Sequence, residues 1–184
     1  MATQHAAGIS RRRLMAVGAG SAALAGVTLG SNLAAAQDAA TPVVGDGTMP
    51  TLALTIDGAM RVVQAALAKA TEIGVPTVVV VVDAAGMMKA MARMDGTPLS
   101  SNDLATDKAF TAASFHGPTD QLGPAMSADP ATMASILKAP GITLLGGGVP
   151  LMAGDVLVGA VGCSGGTPDQ DVECANAGAA ALAG

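Results

Sequence analysis

The spacing of apolar residues predicts that the folded region opens with a helix. Between residues 56 and 73 apolar side chains recur at steps of three and four, which places them along one broad helical face. Thr55 precedes this stretch as a suitable N-cap, and Gly74 and Pro76 follow it and end the helical pattern. The apolar face is wide enough to predict burial on more than one side.

A pattern typical of strands comes next. Residues 77–82 are a threonine followed by valines, and β-branched side chains of this kind favour a buried, extended strand. The turn-forming residues 83–86 predict that residues 87–94 return beside it as the second strand of a hairpin. Residues 156–162 follow another turn, at 153–155, and predict a further hairpin strand.

More helices are predicted in the rest of the chain. Two serines at 100–101 suit the start of an alanine-rich helix that Gly117 ends, and further helical stretches run over residues 131–138 and 169–182. Hairpins rather than helical crossovers join the strands, which predicts an antiparallel sheet. The predicted fold class is therefore α+β: a single domain in which helices flank an antiparallel sheet.

The amino terminus has the pattern of a cleavable export signal. Three arginines at residues 11–13 precede a charge-free apolar run, and small residues at its end suit a signal peptidase. This pattern predicts a twin-arginine-type signal over residues 1–36, a flexible leader over residues 37–50 and a domain over residues 51–184. An ordinary secretory signal and an uncleaved anchor are the alternatives. The predicted location is periplasmic or extracellular.

Charge and composition narrow the range of partners. All 14 acidic residues follow residue 36, and only 6 of the 9 basic residues do, so the formal charge of that part is −8. This charge argues against nucleic acid as a partner, and against membrane contact once the signal is removed. Ala, Val, Gly and Met dominate the same part, and so much apolar surface predicts burial between the subunits of a homo-oligomer.

The cysteines leave two interpretations open. Cys163 and Cys174 are the only two in the chain, and an oxidising compartment would permit a disulfide between them. Two buried free thiols are the alternative. Zinc is disfavoured, because His116 is the single histidine after the signal and no metal-ligand spacing accompanies it.

Few residues suggest catalysis by themselves. Lys108, Arg93 and Asp95 are candidates for a polar site that acts on a small organic substrate, with the glycine-rich residues 146–150 supplying backbone amides to an anion. The plainer interpretation is that Lys108 forms a salt bridge with Asp95 or Asp107. Glycine clusters are also more typical of turns than of anion sites.

Six segments together resemble a known family. The chain is similar over about residues 52–184 to the GlcG/HbpS haem-binding family, which includes the carboxy-terminal domain of PduO. The resemblance implies a profilin-like α+β domain that assembles into homo-oligomers and, in some members, binds haem or takes part in its breakdown. The segments are VDAAG (82–86), ARMDG (92–96), KAFTAA (108–113), GGGVP (146–150), GAVGCSG (159–165) and QDVECA (170–175).

Haem is the cofactor that this resemblance implies. Thr111 lies in the segment associated with the family's haem contact, and His116 is a candidate iron ligand, although its place before a glycine also suits a helix C-cap. Lys108 and Arg93 are candidates to meet the propionates, and Met94 offers a soft apolar side chain. Three functions remain open: haem handling, a small-molecule enzyme built on Lys108, Arg93 and Asp95, or a sensing module without turnover.

Overall fold

The folded part of the chain is built from five helices and four strands. The computed structural model describes residues 50–126 and 129–183. The predicted signal and residues 37–49 of the predicted leader lie outside the described residues, so those boundaries stay predictions. The elements are α1 (Ile56–Glu72), β1 (Val78–Asp83), β2 (Met88–Arg93), α2 (Ser101–Phe115), α3 (Thr119–Met126), α4 (Pro130–Ile136), β3 (Gly148–Ala153), β4 (Val156–Ser164) and α5 (Pro168–Ala183).

The four strands form one antiparallel sheet in the order β2-β1-β4-β3. Val80 of β1 lies opposite Met91 of β2 on one side and opposite Gly162 of β4 on the other. The hairpins β1–β2 and β3–β4 are adjacent through β1 and β4, and every pairing is antiparallel. The predicted α+β class and antiparallel sheet are confirmed.

Helices cover both faces of the sheet. Val79 and Val81 point toward α1 and α5 and share a core with Cys163, while Val78 and Val80 point the other way, toward α2. Because successive side chains alternate across a strand, five consecutive valines are buried on both faces, which explains why β1 reads as a continuous apolar run.

Helix α2 packs unusually close to the sheet. A Cβ added to Gly162 would lie 2.0 Å from the carbonyl oxygen of Ala105, and one added to Gly148 would lie 2.3 Å from that of Lys108. The helix presents small side chains such as Ala109 and Ala112 to the same face. This close approach brings the stem of Lys108 down to the level of the strands.

The helix ends agree with the sequence in part. Thr55 caps α1 as predicted, with its hydroxyl oxygen accepting a hydrogen bond from the amide of Gly58 at 3.0 Å. Ser100 precedes α2 but makes no side-chain capping bond, and His116 ends that helix in the left-handed conformation, with φ 54°. The C-cap interpretation of His116 is thus confirmed. Helix α3 was not predicted.

Candidate functional site

The most strongly held polar group in the described residues is a buried ion pair between α2 and α5. Lys108 is only 2% exposed, and its Nζ lies 2.6 Å from Asp171 Oδ2. The same Nζ donates to the carbonyl oxygen of Cys163 at 2.9 Å. Asp171 Oδ1 accepts from the amide of Gly166 at 3.0 Å, so each partner is also held by backbone. The pair ties α2, β4 and α5 together.

A glycine loop closes over this pair. Gly147 has φ +117°, and a Cβ there would lie 2.7 Å from the Cβ of Asp171 and 3.1 Å from Lys108 Nζ. Its carbonyl oxygen accepts from the amide of Cys163, so the loop is also tied to β4. A side chain at this position would push the pair apart, and the positive φ independently favours glycine there.

The partner of Lys108 differs from the one expected. The predicted salt bridge with Asp95 or Asp107 is wrong, because Asp171 occupies that place. Arg93 and Asp95 lie at the exposed end of β2, where Arg93 Nη2 donates to the carbonyl oxygen of Thr97. Lys108 reaches β4, which is two strand spacings, about 10 Å, from β2. The structure therefore does not bring Lys108 together with Arg93 and Asp95.

Both cysteines are buried free thiols in the core between the sheet and α5. Burial raises the pKa of Cys163 well above its usual range, and the neighbouring Cys174 and Asp171 add to that effect. Burial also raises the pKa of Cys174 to about 11. At neutral pH both groups are protonated, and only a thiolate is a good nucleophile or metal ligand. Their role is in packing.

Thr111 holds a loop in place. Its side chain is fully buried, and the hydroxyl donates to the carbonyl oxygen of Gly141 at 3.2 Å while it accepts from the amide of Thr143 at 3.0 Å. Both hydrogen-bonding roles of the hydroxyl are therefore taken by the chain. An iron ligand at this position would have to displace the loop.

Acidic groups lie on the same helix. Asp107 is half-buried, and burial raises its pKa, with a further contribution from Asp103 one turn earlier. Asp107 Oδ1 comes within 3.8 Å of where a Cβ on Gly141 would be. Two carboxyl groups therefore lie close together on this part of α2, which makes it a poor place for an anionic group of a ligand.

The methionines in and beside β2, which include the predicted haem contact Met94, separate onto the two faces of the sheet. By register, Met88 and Met91 lie on the face that carries α2, whereas Met94 packs against the core on the α1 side. Helix α2 packs against β1, β3 and β4, and Met88 and Met91 remain 51% and 41% exposed. Met87, at the turn before β2, is 66% exposed. We call Met87, Met88 and Met91 the methionine surface.

Two further predicted residues border this surface. Arg93, opposite Val78 in the register, lies on the same face of β2 at its far end. Phe110 of α2 contacts Gly86 in the β1–β2 turn, and His116 is six residues further on, about 9 Å along the helix axis. The imidazole of His116 is exposed at that end of the helix. The methionine surface thus has a cation at one end and a histidine beyond the other.

The sequence did not identify one residue of the buried ion pair and one residue of the glycine loop that closes over it. Asp171 was present in the QDVECA segment but was not singled out, and its partner is 63 residues away, so no local spacing connects them. Gly147 belongs to the glycine-rich residues 146–150, which the sequence indicates only as turns or as a source of backbone amides. Among the described residues no group of three His, Cys, Asp or Glu side chains is placed to hold a metal ion. No helix in the described ranges is long and apolar enough to cross a membrane.

The fold and this site define a small α+β domain with a four-stranded antiparallel sheet and a buried Lys–Asp pair. Residues 54–180 match the model of the haem degrading protein HbpS-like family. The chain belongs to that family, and the resemblance found in the sequence is confirmed.

Relatives and solved structures agree with this assignment. An uncharacterised 15.0 kDa protein from the dhaT–dhaS intergenic region of Citrobacter freundii is 36% identical over 119 residues, which are 64% of this chain and 84% of that protein. A double mutant of Streptomyces reticuli HbpS is 34% identical, with a TM-score of 0.68 over 77% of this chain and 97% of that one. The PduOC complex with haem is 32% identical, with a TM-score of 0.66 over 71% and 95%.

Proposed function

We propose that this chain is an exported haem-binding protein whose haem lies against the methionine surface beside α2. The observation that carries this proposal is an apolar face that the helices of the described residues leave uncovered. Met88 and Met91 point out from a sheet face whose other strands are covered by a helix. PduOC, which is similar to this chain, has been solved as a complex with haem. The family's own description is that of haem degrading proteins.

The residues at this surface fit the requirements of haem. The macrocycle needs an apolar contact, and methionine side chains adapt well to a flat aromatic ligand. The propionates need cations, and the exposed Arg93 and Lys89 belong to the same strand. Bound haem would supply a redox-active iron centre. The protein would supply the apolar contact, the charge that orients the propionates and the iron ligand.

His116 is the proposed iron ligand. It is exposed, it lies beyond the end of the methionine surface nearest Met87, and it is the only histidine among the described residues. Thr111 is a weaker candidate because the loop already uses its hydroxyl twice. Lys108 in turn would leave Asp171 unpaired if it moved out to a propionate, so Arg93 is the better partner. An enzyme that used Lys108 as a catalytic group would likewise leave Asp171 unpaired.

A haem titration tests the proposal. We expect a saturable, shifted Soret band, and a changed band position for His116→Ala. Met91→Asp should weaken haem binding by about tenfold or more, since it places a charge against the macrocycle.

Met60→Asp is the matched control for that titration. Met60 is 42% exposed, as Met91 is 41% exposed, but it lies on α1. It should bind haem as the unaltered protein does. Equal weakening by both substitutions, or a Soret band that none of the variants changes, would move the haem site away from the methionine surface.

Export is the second part of the proposal. It is supported by the arginines at residues 11–13, the apolar run that follows them and the small residues before residue 37. Amino-terminal sequencing of the exported protein should begin at Gln37 or close to it. A mature protein that still contains the three arginines would contradict the signal.

A further inference from the structure

We infer that a second ligand site lies at the start of α1 and takes a small amphipathic carboxylate. A cavity of about 380 Å³ opens there between the extended residues 52–54, the first two turns of α1, the β3–β4 hairpin and the end of α5. Its walls include Leu54, Val158 and Leu182, which pack on the side of the sheet that α1 and α5 cover. The methionine surface is on the opposite side, so the two sites are separate.

Two of the leucines that line the cavity pack against a helix position that has no side chain. A Cβ on Gly58 would lie 3.2 Å from Leu54 Cδ1 and 3.3 Å from Leu182 Cδ1, so a larger residue there would displace these two leucines. Leu54 is itself only 4% exposed. Part of the wall of this apolar slot is therefore formed by α1, α5 and β4, and the rest by residues 52–54 and the β3–β4 hairpin.

A single charge faces this apolar slot. Arg61 is the only ionisable residue among those that line the cavity, and it forms no ion pair with any residue in the part of the chain that the structure describes. Lys69, two turns later on the same helix, is paired with both Glu72 and Glu173. The free guanidinium therefore marks this end of α1 as the place for an anionic group.

The form of the guanidinium and the size of the cavity select the ligand class. A guanidinium matches a carboxylate with two parallel hydrogen bonds, and the positive end of the α1 dipole adds to the attraction. Asp57 opposes it from the first turn but does not line the cavity. The volume is near the lower limit of small-molecule sites, about 300–1,000 Å³, which suits a medium-chain monocarboxylate rather than a macrocycle.

Calorimetric titration of the purified, haem-free protein with octanoate tests this inference. We expect saturable binding at one site and at least about tenfold weaker binding of 1-octanol, which lacks the carboxylate. Arg61→Gln should lose a similar factor, and Arg61→Lys should retain part of the affinity because the charge remains. Lys138→Gln removes an exposed cation far along the chain, on the segment after α4, and should bind octanoate normally.

A second variant tests the cavity itself. Ala53 is exposed at the mouth, so Ala53→Phe fills the opening without burying a charge or altering the core. It should abolish octanoate binding while the circular dichroism spectrum and the haem titration stay unchanged. The inference is overturned if octanoate fails to saturate the unaltered protein, if Arg61→Gln and Ala53→Phe both bind it normally, or if octanoate displaces haem.

Discussion

Lys108 has the only buried ammonium group in the described part of the chain, and acceptors on two other elements hold it in place. Asp171 neutralises its charge at 2.6 Å, and the carbonyl oxygen of Cys163 accepts a second hydrogen bond from the group. Neither partner reaches water, so removal of one leaves the other charge in a medium that solvates it poorly. The pair acts as a cross-link between helices that pack on opposite faces of the sheet.

Lys108→Met should destabilise the fold by about 3–5 kcal/mol, because it leaves the Asp171 carboxylate buried without a counter-charge. Urea denaturation measures this as a fall in the free energy of unfolding. The double variant Lys108→Met with Asp171→Leu should recover much of the loss, since no charge then stays unpaired. Lys69→Met, which breaks an exposed ion pair, should cost far less. A double variant as unstable as Lys108→Met would show that the pair itself stabilises the fold.

The contacts within the site were harder to predict from the sequence than the types of residue that form it. Lys108 stood out in the sequence as a charged residue among alanines, but its partner was sought in Asp95 or Asp107, which are close along the chain. Sequence proximity is a poor guide here, because the sheet brings α5 to α2 across 63 residues. For Thr111 the loop that uses its hydroxyl begins 30 residues later. Contacts of this kind follow from topology, which local patterns do not encode.

Local sequence signals were sufficient to predict the helices and strands whose ends are set by their own residues. Turn residues at 83–86 and 153–155 define both hairpins, and Thr55 defines the start of α1. Helix α3 was missed because Gly123 and Pro124 stand inside its eight residues and both disfavour a helix interior. Tertiary contacts hold α3 in place instead: Thr119 donates to the carbonyl oxygen of Leu145 and accepts from the amide of Gly148.

The close packing of α2 on the sheet leads to a prediction about stability. Gly162→Ala places a Cβ 2.0 Å from the carbonyl oxygen of Ala105, so the helix must move away from β4. Displacement of a whole element should cost more than the 1–3 kcal/mol that is typical of overpacking, about 3 kcal/mol or above. Thermal or urea denaturation measures the loss.

Gly123→Ala is the control for that substitution. The nearest atom to a Cβ at Gly123 is Leu144 Cβ at 3.9 Å, which is ordinary contact. Because alanine is the better helix former, this change should leave the stability unaltered or raise it by up to about 1 kcal/mol. If both substitutions have small effects, α2 is able to shift away from β4 at little cost, and the packing is looser than these distances indicate.

The whole molecule combines a strong negative charge with apolar side chains on its surface. After residue 36 the chain carries 6 basic and 14 acidic residues, a formal charge of −8. Leu99 is 80% exposed in the segment between β2 and α2. Strand β2 is also an edge of the sheet, whereas the opposite edge strand, β3, contains Pro150, which cannot donate to a further strand.

These features predict that copies associate through the β2 side of the domain. Light scattering should give a mass several times that of one chain, as the apolar composition suggests. Burying Leu99 in the contact would contribute about 1.5–3 kcal/mol for each copy, so Leu99→Glu should weaken association by roughly tenfold or more. Leu137→Glu is the matched control, because Leu137 is also exposed, at 43%, but lies at the end of α4.

Salt adds an independent test of the same assembly. Copies of this chain repel one another, because the formal charge is −5 for the full sequence and −8 for the part after residue 36, and the repulsion acts over a screening length of about 10 Å at 0.1 M salt and about 3 Å at 1 M. An assembly held together by apolar side chains should therefore become tighter as the salt concentration rises, whereas one held by ion pairs should loosen. A monomer at every salt concentration would exclude association through β2.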